Sequence, residues 1–263
     1  MAFESVTSGT LEYRVSSVLS GVPHAFTTRL GGVSEGYLSS LNLGTHRGDR
    51  PENVVENYRI LGRAVGFRPE DTVFTKQLHT DIVRRVGRDD CGTGLYRECD
   101  YVADAIISDA PGVTLVCFAA DCTPILLFDP VKHAAAAIHA GWRGTAMGIA
   151  AKAVSAMVRE FHSDPADIRA AIGPCISRCC FEVGGEVPQA MRDALGSDAE
   201  AAIEVHGDKY HVDLKLCNRL WLSRAGVAQI DVSEECTRCH PDIFWSFRAV
   251  GDRRGSQAAV ISL

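Results

Sequence analysis

The chain has 263 residues, and a chain near this size buries roughly three-quarters of its unfolded surface, so its core needs no staples. Composition is that of a globular protein, with 46% hydrophobic and 23% charged residues. A net charge of -6 without any long basic block excludes nucleic acid and anionic membrane surfaces as main partners.

The N-terminal segment MAFESVTSGTLEYRVSSVL has scattered charges and no apolar stretch of the signal-peptide kind, so a cytoplasmic protein is expected. Segment 29–50 is Gly- and Ser-rich and reads as loop. Pro51 suits the first turn of a helix. Val54, Tyr58, Leu61 and Val65 then recur on one amphipathic face, with Arg59 beside it. Short β-type runs follow at 72–77, 81–86, 102–107, 113–118, 124–128 and 134–139. Several are almost wholly apolar, as strands covered on both faces are. The most apolar stretch, GVTLVCFAADCTPILLF, is broken by Asp121 and Pro124. No uninterrupted span approaches the ~20 residues of a membrane helix.

After Gly144 the pattern takes a helical period through Ala146, Ala150, Ala153, Met157 and Phe161, with Val154 and Val158. Thr145 is the expected N-cap. A strand at 168–172, helices near 186–195 and 212–225 and a strand near 257–262 complete the chain. Strands outnumber helices without regular alternation, which predicts an α+β fold. No repeat or linker divides the sequence, so one domain over 1–263 is expected.

Three strand ends carry ligand-capable residues: His79 in TKQLHTDIV, Cys122 in AADCTPILLF and His139 in AAAAIHAGWRGTAMG. Taken singly, each histidine reads as a hydrogen-bonded core or loop residue and Cys122 as a small buried hydrophobe. Together they form a three-ligand set for zinc with a fourth position open. Gly141 and Gly144 would let the backbone turn sharply out of the strand. Trp142 would stack a base or anchor that turn, and Arg143 would offer a guanidinium fork to an anion or form a salt bridge. GPCISRCC and CTRC place Cys175, Cys179, Cys180, Cys236 and Cys239 where a second metal site is an alternative to free thiols. Nine histidines with no H-x-H pair are too few for a multicopper centre.

The segments KQLHTDIV, ADAIISDAPGVTLVCFAADCTPILLFDP, AAIHAGWRGTAMGIAAKAV, AIGPCISRCCFEVG and CTRCHPDIFWSFRAVGDRRGSQAAVISL resemble, in that order, the signature segments of the YfiH family. Members of that family have been labelled multicopper polyphenol oxidases of the laccase-domain type, and also peptidoglycan editing factors. FTTRLGGVSEG, NLGTHRGDRPENVVENYRIL and KYHVDLKLCNRLWLSRAGV extend the resemblance over essentially the whole chain. It implies a layered α/β/β/α sandwich of mixed sheets, similar to the catalytic domain of cytotoxic necrotizing factor.

The resemblance further implies a zinc site, rather than a copper one, at His79, Cys122 and His139. It implies phosphorolysis of adenosine, inosine, guanosine and methylthioadenosine, with adenosine deamination as a second reaction. Arg59, in ENYR, would contact phosphate or substrate. Phe247 and Arg248 would line the purine pocket or form a loop over the last strand, and Cys175 with Gly173 and Pro174 would form a recurrent turn. Water at an open zinc position reaches a pKa near ~7, suited to attack on C6 of adenine. Asp121, beside Cys122, is then the nearest acidic group to move a proton, or else a turn carboxylate. The expected partners are a purine nucleoside and phosphate, and the expected state a monomer or weak homodimer. Two other classes stay open: a cysteine hydrolase with Cys122 as nucleophile and His139 as base, and a peptidoglycan quality-control factor.

Overall fold

In the computed structural model, which describes residues 2–263, the apolar runs become strands of two mixed six-stranded sheets. The first sheet has the spatial order β1 (Phe3–Ser8), β2 (Leu11–Ser16), β3 (His24–Thr27), β15 (Gln257–Ser262), β7 (Thr114–Ala119) and β4 (Thr72–Val73). Only its β4–β7 pair is parallel. The second sheet runs β14 (Gln229–Val232), β10 (Arg169–Ile172), β8 (Thr123–Asp129), β9 (Ala134–Ala140), β6 (Ala105–Ser108) and β5 (Val83–Arg85). Its two outermost pairs are parallel and the inner ones antiparallel.

Side chains alternate across these strands, and the alternation builds three apolar layers. On the outer face of the first sheet, Val54, Tyr58 and Leu61 of α1 (Pro51–Val65) pack with Leu11, Val116 and Val260. Between the sheets, Phe26, Leu115 and Ile261 meet Ile106, Leu126 and Ala137. On the outer face of the second, Leu127, Ile138 and Ala170 meet Ala150, Ala153, Met157 and Phe161 of α3 (Ile149–Phe161). The order is α/β/β/α, as the resemblance implied. Alanine at 134, 136 and 140 lets α3 lie close on β9, while Ala135 and Ala137 face the other sheet.

A smaller antiparallel sheet of β11 (Glu182–Val183), β13 (Lys209–Val212) and β12 (Ile203–His206) stands beside this sandwich. It packs with α4 (Glu186–Leu195) and α5 (Leu214–Arg224) around Val187, Met191, Leu195, Val212 and Cys217. The sequence offers few signs of it, because β12 and β13 are four residues each and mix polar with apolar side chains. The hairpin β1–β2 and strand β3 were likewise not anticipated, and the run at 72–77 is strand only at β4.

The helix expected from Thr145 onward is two helices. Thr145 lies inside α2 (Trp142–Ala146), whose N-cap is Gly141, and α3 begins after Gly148. Gly148 adopts φ 75, a left-handed conformation that redirects the axis and that side-chain-bearing residues rarely adopt. Thr145 instead works as a buried clasp for α5: its hydroxyl accepts from Asn218 Nδ2 at 2.9 Å and its carbonyl from Trp221 Nε1 at 2.8 Å. Val158 points outward, away from the face buried on β9.

Candidate metal centre

The three ligand-capable residues meet where the chain passes between the two sheets. Cys122 ends the short crossing from β7 to β8, and His79 lies on the passage from β4 to β5. His139 is the penultimate residue of β9 and, by alternation, shares the inter-sheet face of Ala135 and Ala137. Their donor atoms all lie within 4.8 Å of one another. Cys122 Sγ is 3.6 Å from His79 Nε2, and the two imidazoles meet edge to face with centroids 4.9 Å apart.

One buried carboxylate holds both histidines. Asp104 Oδ1 accepts a hydrogen bond from His139 Nδ1 at 2.7 Å, which leaves Nε2 for Cys122 or a metal ion. The backbone N–H of His79 donates to the same oxygen at 3.0 Å. Leu78 N–H, Thr80 N–H and Thr80 Oγ1 donate to Oδ2. These bonds hold His79 at φ 61, a conformation disfavoured for a side chain of this kind. Gln77 secures the segment from the other side: its amide brackets Phe118, accepting from the backbone N–H at 2.7 Å and donating to the carbonyl at 2.9 Å.

Gly141 has an ordinary φ of −68, so its role is clearance and not the sharp turn anticipated for it. A Cβ there would lie 2.5 Å from His79 Cδ2 and 3.2 Å from Cys122 Sγ. Gly144 is helical, with the Thr80 carbonyl 3.1 Å from where its Cβ would be.

The electrostatics follow from this packing. Burial alone would raise the Asp104 carboxyl, but the donors from His139 and Thr80 bring it down to about 2. Burial likewise opposes a charged Cys122, yet the His139 and His79 imidazoles lower its thiol to about 6. The Cys122 sulfur and the Asp104 carboxylate lift His139 to about 9 against its own desolvation. A thiolate between two imidazoles is a donor set for a borderline or soft cation, and the site can bind a metal ion.

The centre forms the floor of a cleft of about 1110 Å³. Asp121, Arg143 and Phe247 line it, as do Phe118, Trp142 and Phe181. Arg143 is exposed and lies over Trp142, 4.3 Å from the ring. Asp121 has φ 91, and both its oxygens are engaged, Oδ1 by Thr237 Oγ1 and Oδ2 by the N–H of Arg248, each at 2.6 Å. Arg248 and Phe247 open a short helix (Phe247–Val250) and not the loop that was the alternative for them. This is the arrangement of a turn carboxylate that ties the Thr237 turn and the start of that helix to the residue before Cys122. Arg59 does not line the cleft: it lies exposed on α1 and pairs with Glu56. The reason is register, since Tyr58 takes the inward position of that turn and is fully buried.

Sequence reasoning missed Asp104, Gln77 and the cleft residues Arg47 and Arg254. Arg254 is almost fully buried and its Nε has no partner among the described residues. Desolvation and the neighbouring Arg47 lower it to about 10, while Asp121 and Cys122 act in the opposite sense. The available signal for Asp104 is a carboxylate opening the apolar run AIIS, a position where burial demands partners.

Residues 23–263 match the family model described as multi-copper polyphenol oxidoreductase laccase. The chain is 37% identical over 246 residues to a protein of Geobacillus stearothermophilus named purine nucleoside phosphorylase YlmD, covering 92% of this chain and 90% of that one. It is 38% identical over 229 residues to Escherichia coli purine nucleoside phosphorylase YfiH, covering 87% and 88%. The crystal structure of the hypothetical protein YfiH of Bacillus licheniformis superimposes with a TM-score of 0.93 at 33% identity, covering 99% of this chain and 98% of that one. In sequence over most of its length and in its layered sheets, the chain belongs to the YfiH/YlmD family, the one described by the laccase-type model.

Proposed function

We propose that this chain is a zinc-dependent purine nucleoside phosphorylase acting on adenosine, inosine, guanosine and methylthioadenosine, with adenosine deamination as a second reaction. The observation that carries the reading is the His79–Cys122–His139 donor set, oriented by Asp104 at the floor of a cleft with aromatic and cationic walls. The names of the relatives supply the reaction class. We further propose a single cytoplasmic domain, monomeric or weakly dimeric, working on small molecules and not on nucleic acid. No helix among the described residues is long and apolar enough to cross a membrane.

His79, Cys122 and His139 would hold the ion, which when bound would supply a Lewis acid and lower the pKa of water at the remaining position. Asp104 keeps the His139 proton on Nδ1. Phe118, Trp142 and Phe247 line the cleft and give a purine aromatic rings to pack against. The role of phosphate contact passes from Arg59 to Arg143, Arg47 and Arg254, which line the cleft. In phosphorolysis a phosphate oxygen bonds to C1′ as the C1′–N9 bond breaks. The electron pair leaves on the purine, which takes up a proton, giving the free base and ribose 1-phosphate. In deamination water adds at C6 and ammonia departs, giving inosine.

Incubation of the zinc-loaded protein with adenosine, with and without phosphate, tests this by separation of products. Adenine formed only with phosphate and inosine formed without it are the expected results. Neither product from protein with zinc confirmed would overturn the substrate assignment.

A second reading has one observation in its favour: Cys122, His139 and Asp104 also have the order of nucleophile, base and orienting carboxylate. Metal content separates the two. One equivalent of zinc lost in Cys122→Ala supports the metal reading, whereas a metal-free, fully active protein inactivated by alkylation at Cys122 supports the hydrolase.

A further inference from the structure

Beside the cleft, the chain brings four more cysteines to one point. Cys179 and Cys180 close a turn in which the Cys180 and Phe181 N–H groups donate to the Ser177 carbonyl. Cys236 and Cys239 bracket another, closed by His240 N–H to the Cys236 carbonyl. The two segments lie side by side because Cys175 and Cys236 pair through their backbones, with Thr237 N–H donating to the Cys175 carbonyl at 3.1 Å. Lys215, buried on α5, fixes both from behind: its ammonium donates to Ser177 Oγ, the Ser233 carbonyl and the Glu235 carbonyl at 2.7 to 2.9 Å. Cys175 itself is not in the group; its thiol is fully buried against Thr123.

We propose that Cys179, Cys180, Cys236 and Cys239 form a structural tetrathiolate zinc site, distinct from the centre at the cleft floor. The four donor atoms all lie within 4.8 Å of one another. Sγ separations are 3.8 Å for Cys179–Cys180, 3.7 Å for Cys179–Cys239 and 3.4 Å for Cys180–Cys239. Zinc–sulfur bonds of ≈2.3 Å in a tetrahedron place sulfurs about 3.8 Å apart, so these spacings are those of ligands around one ion. They are far from the ≈2.05 Å of a disulfide, and all four thiols are free. Cys236 and Cys239 have the C-x2-C spacing of structural zinc modules. The backbone N–H of Ser177 already points at Cys236 Sγ, 3.3 Å away, as a donor to a ligating sulfur does.

On binding, each thiol gives up its proton to solvent and its sulfur pair to the ion; no oxidant or reductant is involved. The site would rivet segment 176–183 to segment 236–248. Together these supply one wall of the cleft, through Phe181, Glu182, Phe247 and Arg248. Arg248 spans the join, donating to the Cys180 and Glu182 carbonyls at 3.2 and 3.0 Å.

The test measures zinc per chain in unaltered protein, Cys122→Ala and Cys239→Ser, each purified with zinc in the medium. Two equivalents are expected in the unaltered protein and one in each variant. If the cleft-floor centre held no zinc, the unaltered protein and Cys122→Ala would each hold one equivalent and Cys239→Ser none, so the two readings fail separately. Cobalt replacing zinc in Cys122→Ala is expected to show the intense sulfur-to-metal charge-transfer bands of a tetrathiolate, a readout independent of whether Cys239→Ser folds. Cys122→Ala without metal, a Cys239→Ser zinc content equal to that of the unaltered protein, or disulfides among the four cysteines in fresh protein would overturn the proposal.

Discussion

Asp104 is the residue on which the arrangement of the metal centre turns. Its oxygens accept hydrogen bonds from one imidazole, three backbone N–H groups and one hydroxyl. Replacement by Asn keeps the size but removes the charge and one acceptor, so the His139 ring loses the bond that selects its tautomer and both histidines loosen. Metal affinity of Asp104→Asn is expected to fall by about 10–100-fold, as measured by competition with a chromophoric chelator. Affinity equal to that of the unaltered protein would mean that β9 alone orients His139. The candidate ligands were legible in the sequence because imidazole and thiol at the ends of apolar strands are out of place. Asp104 was not, because a lone carboxylate at a strand start gains meaning only from the donors that tertiary structure brings to it.

At the scale of elements, segment 29–50 shows how a loop correctly read from composition is ordered by its polar groups. Asp49 accepts from Ser34 Oγ at 2.6 Å, Asn42 Nδ2 at 2.9 Å, Asn53 Nδ2 at 3.2 Å and Arg50 N–H at 2.9 Å. Asn57 of α1 completes the lattice, accepting from Val33 N–H and donating to Ser34 Oγ and the Asn42 carbonyl. Burial alone would raise the Asp49 carboxyl, but these donors hold it below its ordinary value. Its contribution to stability is therefore complete above the unfolded-state pKa near ~4 and is lost as pH falls through the lower native value. Unfolding free energy is expected to drop less steeply from about pH 5 downward in Asp49→Asn than in the unaltered protein. Denaturant titrations followed by circular dichroism at several pH values check this, and parallel acid limbs would show that Asp49 is not held by the lattice.

At the scale of the whole molecule, the candidate metal centre joins the two sheets. Cys122 and His79 sit on crossings from the first sheet to the second, and His139 on a strand of the second. An unfolded chain holds these ligands 43 and 17 positions apart, so binding energy at this centre is folding energy. Zinc at 100 times its dissociation constant contributes about 2.7 kcal/mol, or roughly 5–10 °C in Tm for a chain of this size. Scanning calorimetry is expected to show a rise of at least this size on adding zinc to chelator-treated protein, and a smaller one in Cys122→Ala, where only the four-cysteine site remains. Equal rises in both would assign the stabilisation to another site.

The sequence by itself determined most of the elements, because burial on both faces, or on one helical face, writes itself into residue spacing. Strands β7, β8, β9 and β15 and the buried face of α1 are where the apolar pattern put them. It also marked His79, Cys122 and His139 as the candidate ligands. Tertiary structure decided what spacing cannot encode: the break at Gly148, the outward placement of Arg59, and the small three-stranded sheet. It also made Asp104 the shared acceptor and gathered four distant cysteines at one point. Periodicity reports which face of an element is buried, whereas sites arise from contacts between elements, and those exist only once the layers have packed.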